Sequence, residues 1–470
     1  MGAKFKSSKE RIPRVFINIG ATMDIPTGSP TMGPKGETFI NGGLHYTTGV
    51  VGLPNSFKST ILHYMAITAA DRISSATRTS IHSHDTELTM TSRRLEQLSS
   101  RAEYFPDTMF DEDDPDWVIT SKDQYSGDEW LAELKDYTDE KAKDKKAFVE
   151  FQTFFDNNQK TAKLPVPTFV EIDSVAELEP ETTSKMLHDS RKEDTSTSTL
   201  FMKKGLFKSK MFSMIPRMAL TSGTYFLFSS HIGEALNIGA SPYSQGPVKK
   251  LRFLSGDQKI KGVSDTFLYL VGNAWYARRS ATLKNQRTKL AEYPTGDDGV
   301  EEELALVSIV QLRGKNGMSG YTLNLVISQV EGVLPSLTEF HNIKTCDRFG
   351  ISGSEQNYYL DIMPDVKLSR TVVRSKLDSD KKLQRAVNIT SELLQISQFY
   401  PQIVDRNLMC TPAELYEDIK KLGYDWDELL DTRGWYALNQ YTHPVPFLST
   451  IDLLRMRAGL YKPYWMEDKK

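Results

Sequence analysis

The sequence lacks most features that mark secreted, membrane-spanning and disulfide-bonded proteins. Only two of its 470 residues are cysteines, Cys346 and Cys410, which is too few for a disulfide framework and indicates two free thiols. No run approaches the ~20 consecutive apolar residues of a transmembrane helix. The first residues are polar and basic, without the apolar segment of a signal peptide. The sequence therefore predicts a cytoplasmic protein with no membrane association.

An excess of charge of one sign is also missing. The chain has 58 Lys and Arg against 61 Asp and Glu, a formal net charge of −3. Proteins that bind nucleic acid are often basic overall, so a nucleic-acid site here has to be a local patch. Apolar residues make up 39% and charged residues 25%, a balance typical of globular proteins. At ~100–200 residues per domain, the length allows about three domains.

What the sequence does contain, over its first two thirds, is apolar strands alternating with helices. Strands are predicted at 15–19, 45–51, 77–84, 165–173, 224–230, 266–271, 304–312 and 321–327, and helices at 60–71, 128–159 and 208–220. This alternation predicts an α/β core with a mostly parallel central sheet. From about residue 341 the sequence no longer predicts regularly spaced strands. We expect a short tail over 1–14, a core over 15–340 with an insertion at about 105–163, and a smaller helical or mixed domain over 341–470.

One segment between a predicted strand and a predicted helix resembles a phosphate-binding loop. Gly52-Leu-Pro-Asn-Ser-Phe-Lys-Ser-Thr60 fits G-x-x-x-x-G-K-[ST] except that phenylalanine replaces the second glycine. Such a loop holds phosphate with main-chain N–H groups at a helix N-terminus. The candidate nucleotide-binding residues are Gly52, Asn55, Ser56, Phe57, Lys58, Ser59 and Thr60. An ordinary strand–turn–helix is the alternative.

Three further polar residues follow predicted strands. Asp173 would hold Mg²⁺ together with Ser59, and Glu87 would polarise an attacking water. His231 would sense the γ-phosphate. The alternatives are helix caps for the two acids and a buried, hydrogen-bonded histidine. Because ligands bind beyond the carboxyl ends of parallel strands, we expect these residues at one edge of the sheet.

In this order along the chain, the motifs resemble those of the RecA-like recombinases. The Phe-Lys-Ser form of the loop, Ile172-Asp-Ser-Val175 and Ser230-His231 are similar to the bacteriophage UvsX group. The resemblance covers roughly 15–340 and implies a RecA-like P-loop ATPase core. It also implies Mg²⁺-dependent ATP hydrolysis, in which Lys58, Glu87 and His231 take part in catalysis. The expected function is homologous pairing and strand exchange in recombination, repair and replication.

The same resemblance implies partners and further site residues. Single-stranded DNA would bind two loops at about 177–204 and 233–262, and a homologous duplex would be the second DNA partner. The basic candidates in these loops are Lys203, Lys204, Lys249, Lys250, Arg252, Lys259 and Lys261. Solvated lysine-rich loops are the alternative. Arg313 and Lys315 lie where the family places basic residues that reach the ATP of a neighbouring subunit.

Some features depart from the family. Only about a dozen residues precede the first predicted strand, whereas the family uses an N-terminal helix to polymerise, so a helical filament and a ring both stay open. The aromatic residue that stacks on adenine in the family falls near Arg94.

The competing functions are a ring-forming DnaB-like helicase and a regulatory nucleotide-binding assembly protein. Phage replication or recombination mediators are possible partners, and a phage-encoded chain would act in the host-cell cytoplasm.

Overall fold

The computed structural model describes residues 13–106, 109–156, 160–181, 197–234, 251, 253–254, 258–295, 303–315, 319–354 and 356–467. The helices are α1 Asp24–Thr27, α2 Lys58–Ser74, α3 Ser92–Ser99, α4 Gly127–Lys143, α5 Thr197–Ser222, α6 Asp265–Leu270, α7 Pro335–Thr345, α8 Val373–Ser379, α9 Lys381–Ile403, α10 Pro412–Lys421, α11 Trp426–Leu430, α12 Thr450–Arg457 and α13 Tyr464–Glu467. Short 3₁₀ turns span Lys145–Ala147, Val175–Glu177 and Arg406–Leu408.

The strands are β1 Ser29–Met32, β2 Thr38–Asn41, β3 Thr47–Gly52, β4 Ile81–Asp85, β5 Trp117–Ser121, β6 Phe148–Phe155, β7 Thr161–Pro165, β8 Thr168–Asp173, β9 Thr224–Glu234, β10 Gln258–Ile260, β11 Asn273–Thr282, β12 Leu304–Gly314, β13 Thr322–Ser328, β14 Gly332–Val333, β15 Ile351–Gly353, β16 Tyr358–Leu360 and β17 Met363–Leu368. Most of them belong to one large sheet. The smaller sheets are β1-β2, β6-β7 and β15-β16-β17.

The large sheet runs in the order β14-β13-β12-β11-β3-β9-β8-β4-β5, with β10 attached to β9. Its centre, from β11 to β5, is parallel throughout. Strands β12, β13 and β14 extend it in antiparallel fashion. The prediction of an α/β protein with a large, mostly parallel central sheet is therefore confirmed.

Both faces of the central parallel strands are covered, which explains the apolar runs within β8 and β9. On one face, Val50 and Leu227 pack with the α2 side chains Ile61 and Met65. On the other face, Val51, Ile172 and Phe228 pack with side chains of α4, α5 and α6. Every residue of β3 and β8 is buried, including the Glu171 side chain within β8.

The C-terminal region has its own apolar core. This core joins α7 to α12 with the three-stranded sheet and also includes Leu283, Tyr293 and Leu304 from earlier in the chain. Conversely, Tyr436 and Phe447 pack in the core beside α2. The division near residue 340 stays a prediction. Both cysteines are free thiols, and none of the helices in the described ranges is long and apolar enough to cross a membrane.

Several predicted elements are wrong. The segment 15–19 is not a strand: its ladder is limited to a bridge between Ile17 and Leu44, and the Phe16 N–H donates to the Asn41 side chain instead. Residues 266–271 belong largely to helix α6, and β3 lies between β9 and the strand β11, which was not predicted. The short apolar run 266–271 fits either helix or strand, and periodicity cannot separate them.

The insertion and the C-terminal region also differ from expectation. The predicted helix over 128–159 ends at Lys143, and the β-hairpin β6-β7 follows. Phe148, Phe151 and Phe154 all lie within β6, whose aromatic and valine content favours strand over helix. Beyond residue 341 strands do recur, as β15, β16 and β17. The tail over residues 1–12 lies outside the described residues.

Candidate functional site

The loop between β3 and α2 folds into a tight turn at the carboxyl edge of the sheet. Asn55 and Phe57 adopt left-handed backbone conformations, with φ of +59° and +62°, which are uncommon for residues other than glycine. At Gly52, a Cβ atom would lie 2.4 Å from Ser56 Oγ and 2.9 Å from the main-chain oxygen of Ala277. Only glycine fits there, so this first glycine of the motif has a steric explanation.

Phe57 occupies the position where the motif usually has its second glycine. Its left-handed conformation explains why glycine is usual there, since glycine adopts positive φ at little cost. The Phe57 ring packs against the apolar core beside α2, and this packing can offset the backbone cost. Helix α2 starts at the next residue, Lys58, so the free N–H groups of its first turn lie at the end of the loop.

Lys58 lies under the loop and near two carboxylates. Only 7% of the residue is exposed, and its Nζ donates to the main-chain oxygen of Leu53 at 2.8 Å. Burial lowers the pKa of Lys58, while the carboxylates of Asp173 and Glu87 act in the opposite direction. The structure thus brings the predicted lysine together with the two predicted acids.

Asp173 ends β8 and is fixed by its neighbours. The Ser229 hydroxyl of β9 donates to its carboxylate. Thr86 holds the strand ends together: its N–H donates to the Asp173 main-chain oxygen at 2.8 Å, and its hydroxyl donates to the Ser174 oxygen at 2.8 Å. The carboxylate is therefore buried at a defined position beside α2.

Glu87 and His231 contact each other at the same edge. His231 Nε2 lies 3.1 Å from Glu87 Oε1, and these side chains are 26% and 32% exposed. The turn that carries Glu87 is held by Asp85, whose carboxylate accepts the N–H groups of Glu87 at 3.0 Å and Met90 at 2.7 Å. In the described part of the chain, the buried Nδ1 of His231 has no hydrogen-bond partner.

Sequence analysis missed the residues that position this group, namely Asp85, Thr86 and Ser229. Their signal was available, because each is a polar residue within two positions of a predicted site residue near the end of a strand. Alternation along β9 places Ser229 and His231 on the same face. Arg94, near which the family's adenine-stacking aromatic would fall, donates to the Val330 main-chain oxygen at 2.6 Å.

Two predicted residues lie away from this edge. Arg313 pairs with Ala274 in the ladder of β11 and β12, at the amino end of the parallel strands. Its guanidinium donates to Leu268 O at 2.7 Å, and Lys315 Nζ donates to Leu270 O at 3.2 Å. Both cations thus bind the last carbonyl groups of α6, a favourable place for positive charge. Within one chain they do not join the site.

The predicted DNA-binding basic residues divide into three groups. Lys203 and Lys204 lie on helix α5 rather than in a loop, and Lys204 pairs with Glu179. Lys259 lies on β10 and Lys261 follows it, and both are exposed. Strand β9 continues past His231 to pair with β10, so this part of the expected loop is a strand pair. Lys249, Lys250 and Arg252 lie outside the described residues.

The donor set at the edge fits Mg²⁺ better than a metal held by protein side chains alone. No cluster of three or more His, Cys, Asp or Glu residues suited to a metal occurs in the ranges described above. Mg²⁺ in nucleotide sites takes one or two protein oxygens and completes its shell with phosphate and water. Ser59 and Asp173 can supply such oxygens. No family model and no curated protein matches this sequence.

Proposed function

We propose that the protein is an ATP-dependent recombinase that binds single-stranded DNA and hydrolyses ATP. The observation that carries the proposal is the group at the carboxyl edge of the sheet. Lys58 lies near Glu87 and Asp173, and Glu87 contacts His231. A cation, two carboxylates and a helix N-terminus at one strand edge are what phosphoryl transfer from a nucleoside triphosphate requires.

In this proposal each residue has a separate task. The loop amides and Lys58 bind the phosphates, and Ser59 and Asp173 hold Mg²⁺. Bound Mg²⁺ would supply neutralisation of the charge that develops on the phosphates. Glu87 orients the attacking water and accepts its proton. Asp85 positions Glu87 through the turn between them.

The connection to DNA runs through β9. His231 lies on this strand, and its main-chain oxygen accepts the Lys261 N–H at 2.8 Å. The Ser230 hydroxyl also donates to the Lys261 main-chain oxygen. A change at Glu87 and His231 on loss of the γ-phosphate can therefore reach the exposed Lys259 and Lys261. These cations are suited to the phosphates of a single strand.

The deciding experiment measures single-stranded DNA binding with and without Mg²⁺ and a non-hydrolysable ATP analogue, followed by a strand-exchange assay. We expect the analogue to tighten DNA binding and Lys58→Ala to abolish this effect. A DNA affinity that is the same with and without the nucleotide analogue would contradict the proposal. Electron microscopy of the same complexes separates the alternatives: helical filaments support the recombinase, whereas closed rings that unwind a forked duplex indicate the helicase.

A further inference from the structure

A second polar layer lies directly beneath the proposed metal site. Ser59 and His63 are one turn apart on α2, so they share a face of the helix. Asp173 and Glu171 are two residues apart on β8 and point to the same face of the sheet. His63 and Glu171 therefore face each other in the same way as Ser59 and Asp173, but one helical turn further from the carboxyl edge of the sheet.

The deeper layer is a continuous set of hydrogen bonds. His63 Nδ1 lies 3.1 Å from Glu171 Oε2 and 3.2 Å from Oε1. Ser83, which pairs with Glu171 in the ladder of β4 and β8, donates its hydroxyl to the same carboxylate. Trp117 Nε1 on β5 donates to Ser83 Oγ at 2.9 Å. The chain of contacts thus joins α2 to β8, β4 and β5.

This pair is enclosed by the protein. The Glu171 side chain is fully buried and that of His63 is 6% exposed. Burial lowers the pKa of His63, but the Glu171 carboxylate outweighs this effect and the net pKa lies above its ordinary value. Burying a charged pair carries a large desolvation cost, and apolar residues of similar volume are often as stable. Packing alone therefore does not account for these residue types.

We propose that His63 and Glu171 are positioning residues that fix the distance between α2 and β8, and thereby between Ser59 and Asp173, for binding of the Mg²⁺–nucleotide complex. The proposal rests on the function proposed above. The directional bonds of a carboxylate held by His63 and Ser83 restrict sliding of the helix along the strand, which apolar contacts do less strictly. Lys58 and the loop amides would act independently of this layer.

The test uses the double variant His63→Leu/Glu171→Met in the full chain. Both residues become apolar together, so no buried charge is left unpaired and the fold is expected to persist. Nucleotide binding is followed as the shift in melting temperature caused by a non-hydrolysable ATP analogue, across a series of Mg²⁺ concentrations and in EDTA. Removing residues that support a metal ligand typically costs ~10–100-fold in metal affinity. We expect the Mg²⁺ concentration at half-maximal shift to rise at least ~10-fold.

Binding of the analogue in EDTA should stay at the wild-type level, because Lys58 and the loop are intact. Glu171→Gln preserves hydrogen-bonding oxygen at the same place and should recover most of the Mg²⁺ response. A folded double variant with an unchanged Mg²⁺ midpoint, or with equal losses with and without Mg²⁺, would overturn the inference. If the double variant does not fold, Ser83→Ala, which removes one support of Glu171, must raise the midpoint, and an unchanged midpoint overturns the inference. Wild-type protein that binds no analogue would instead overturn the proposed function.

Discussion

At the carboxyl ends of the parallel strands, Lys58 lies near enough to the carboxylates of Asp173 and Glu87 for them to raise its pKa against the lowering by burial. At the amino ends, Lys141 and Arg313 donate to main-chain carbonyl oxygens, and Lys141 also to a threonine hydroxyl. Lys141 Nζ lies 2.7 Å from Val166 O and 2.7 Å from Thr168 Oγ1, and Arg313 binds the end of α6. The same residue types thus serve two purposes in one sheet.

The difference between the two edges shows how a charged cluster suited to chemistry differs from one that stabilises a fold. At the amino edge each of these basic side chains donates to carbonyl groups where an element ends, which stabilises the structure. At the carboxyl edge the cation lies near the buried carboxylate of Asp173 and the partly exposed carboxylate of Glu87, and the loop holds left-handed residues at Asn55 and Phe57. Such strain and charge are concentrated at functional sites. Four variants test this contrast.

The largest effect is expected for Lys58→Ala. Loss of a positioned charge at the phosphates should lower ATP turnover by at least ~10²-fold, measured as phosphate release with saturating single-stranded DNA. Lys141→Met, at the opposite edge, is the matched control and should leave turnover near the wild-type rate. Turnover that survives Lys58→Ala would show that the phosphate-binding loop has been placed wrongly.

Glu87→Gln should have the next largest effect. An amide cannot accept the proton of the attacking water, so turnover should fall by ~10²–10⁴-fold, while binding of the nucleotide analogue persists. Glu96→Gln, an exposed change on α3, serves as control. An unchanged rate in Glu87→Gln would favour the regulatory assembly protein over an ATPase.

The location of the candidate site could be predicted from the sequence, because that prediction depends only on knowing where the strands end. Asp173 and His231 each follow an apolar run, and parallel strands bring such positions together. The conformation of Phe57 was not predictable, since the motif shows that an unusual backbone angle is needed but not whether packing can offset its cost.

The second polar layer was beyond sequence reasoning for a different reason. His63 lies within an apolar helix and Glu171 within an apolar strand, 108 residues apart, and nothing local marks them as partners. Helix α6 was mistaken for a strand because short apolar runs carry no decisive period. Strand β11, which was not predicted, ends in the exposed residues Arg278–Thr282. Because this second half is exposed, the apolar pattern of the buried first half was too short to identify a strand.

A smaller effect is expected when the two exposed lysines after β9 are neutralised. Lys259→Gln/Lys261→Gln should weaken single-stranded DNA binding and reduce its dependence on salt. On single strands, each lost phosphate contact lowers the slope of log K against log salt by ~0.7. A KCl series of anisotropy titrations measures this slope, and Lys367→Gln, an exposed change in β17, is the control. Equal salt slopes for the wild type and the Lys259→Gln/Lys261→Gln variant would show that these lysines do not contact the DNA.

The smallest expected effect lies at the amino edge and concerns stability. Burial lowers the pKa of Lys141 to about 7, whereas in the unfolded chain it keeps its ordinary value near 10.5. Between these values the unfolded state binds more protons, so Lys141 makes stability rise with pH. From pH 7 to pH 9, wild type should gain about 2 kcal/mol in the free energy of unfolding relative to Lys141→Met, measured by urea denaturation. Lys143→Met, an exposed change on the same helix, should keep the wild-type pH dependence. Parallel curves for wild type and Lys141→Met would show that Lys141 stays charged across this pH range, and the amino edge would then hold a charged lysine much as the carboxyl edge does.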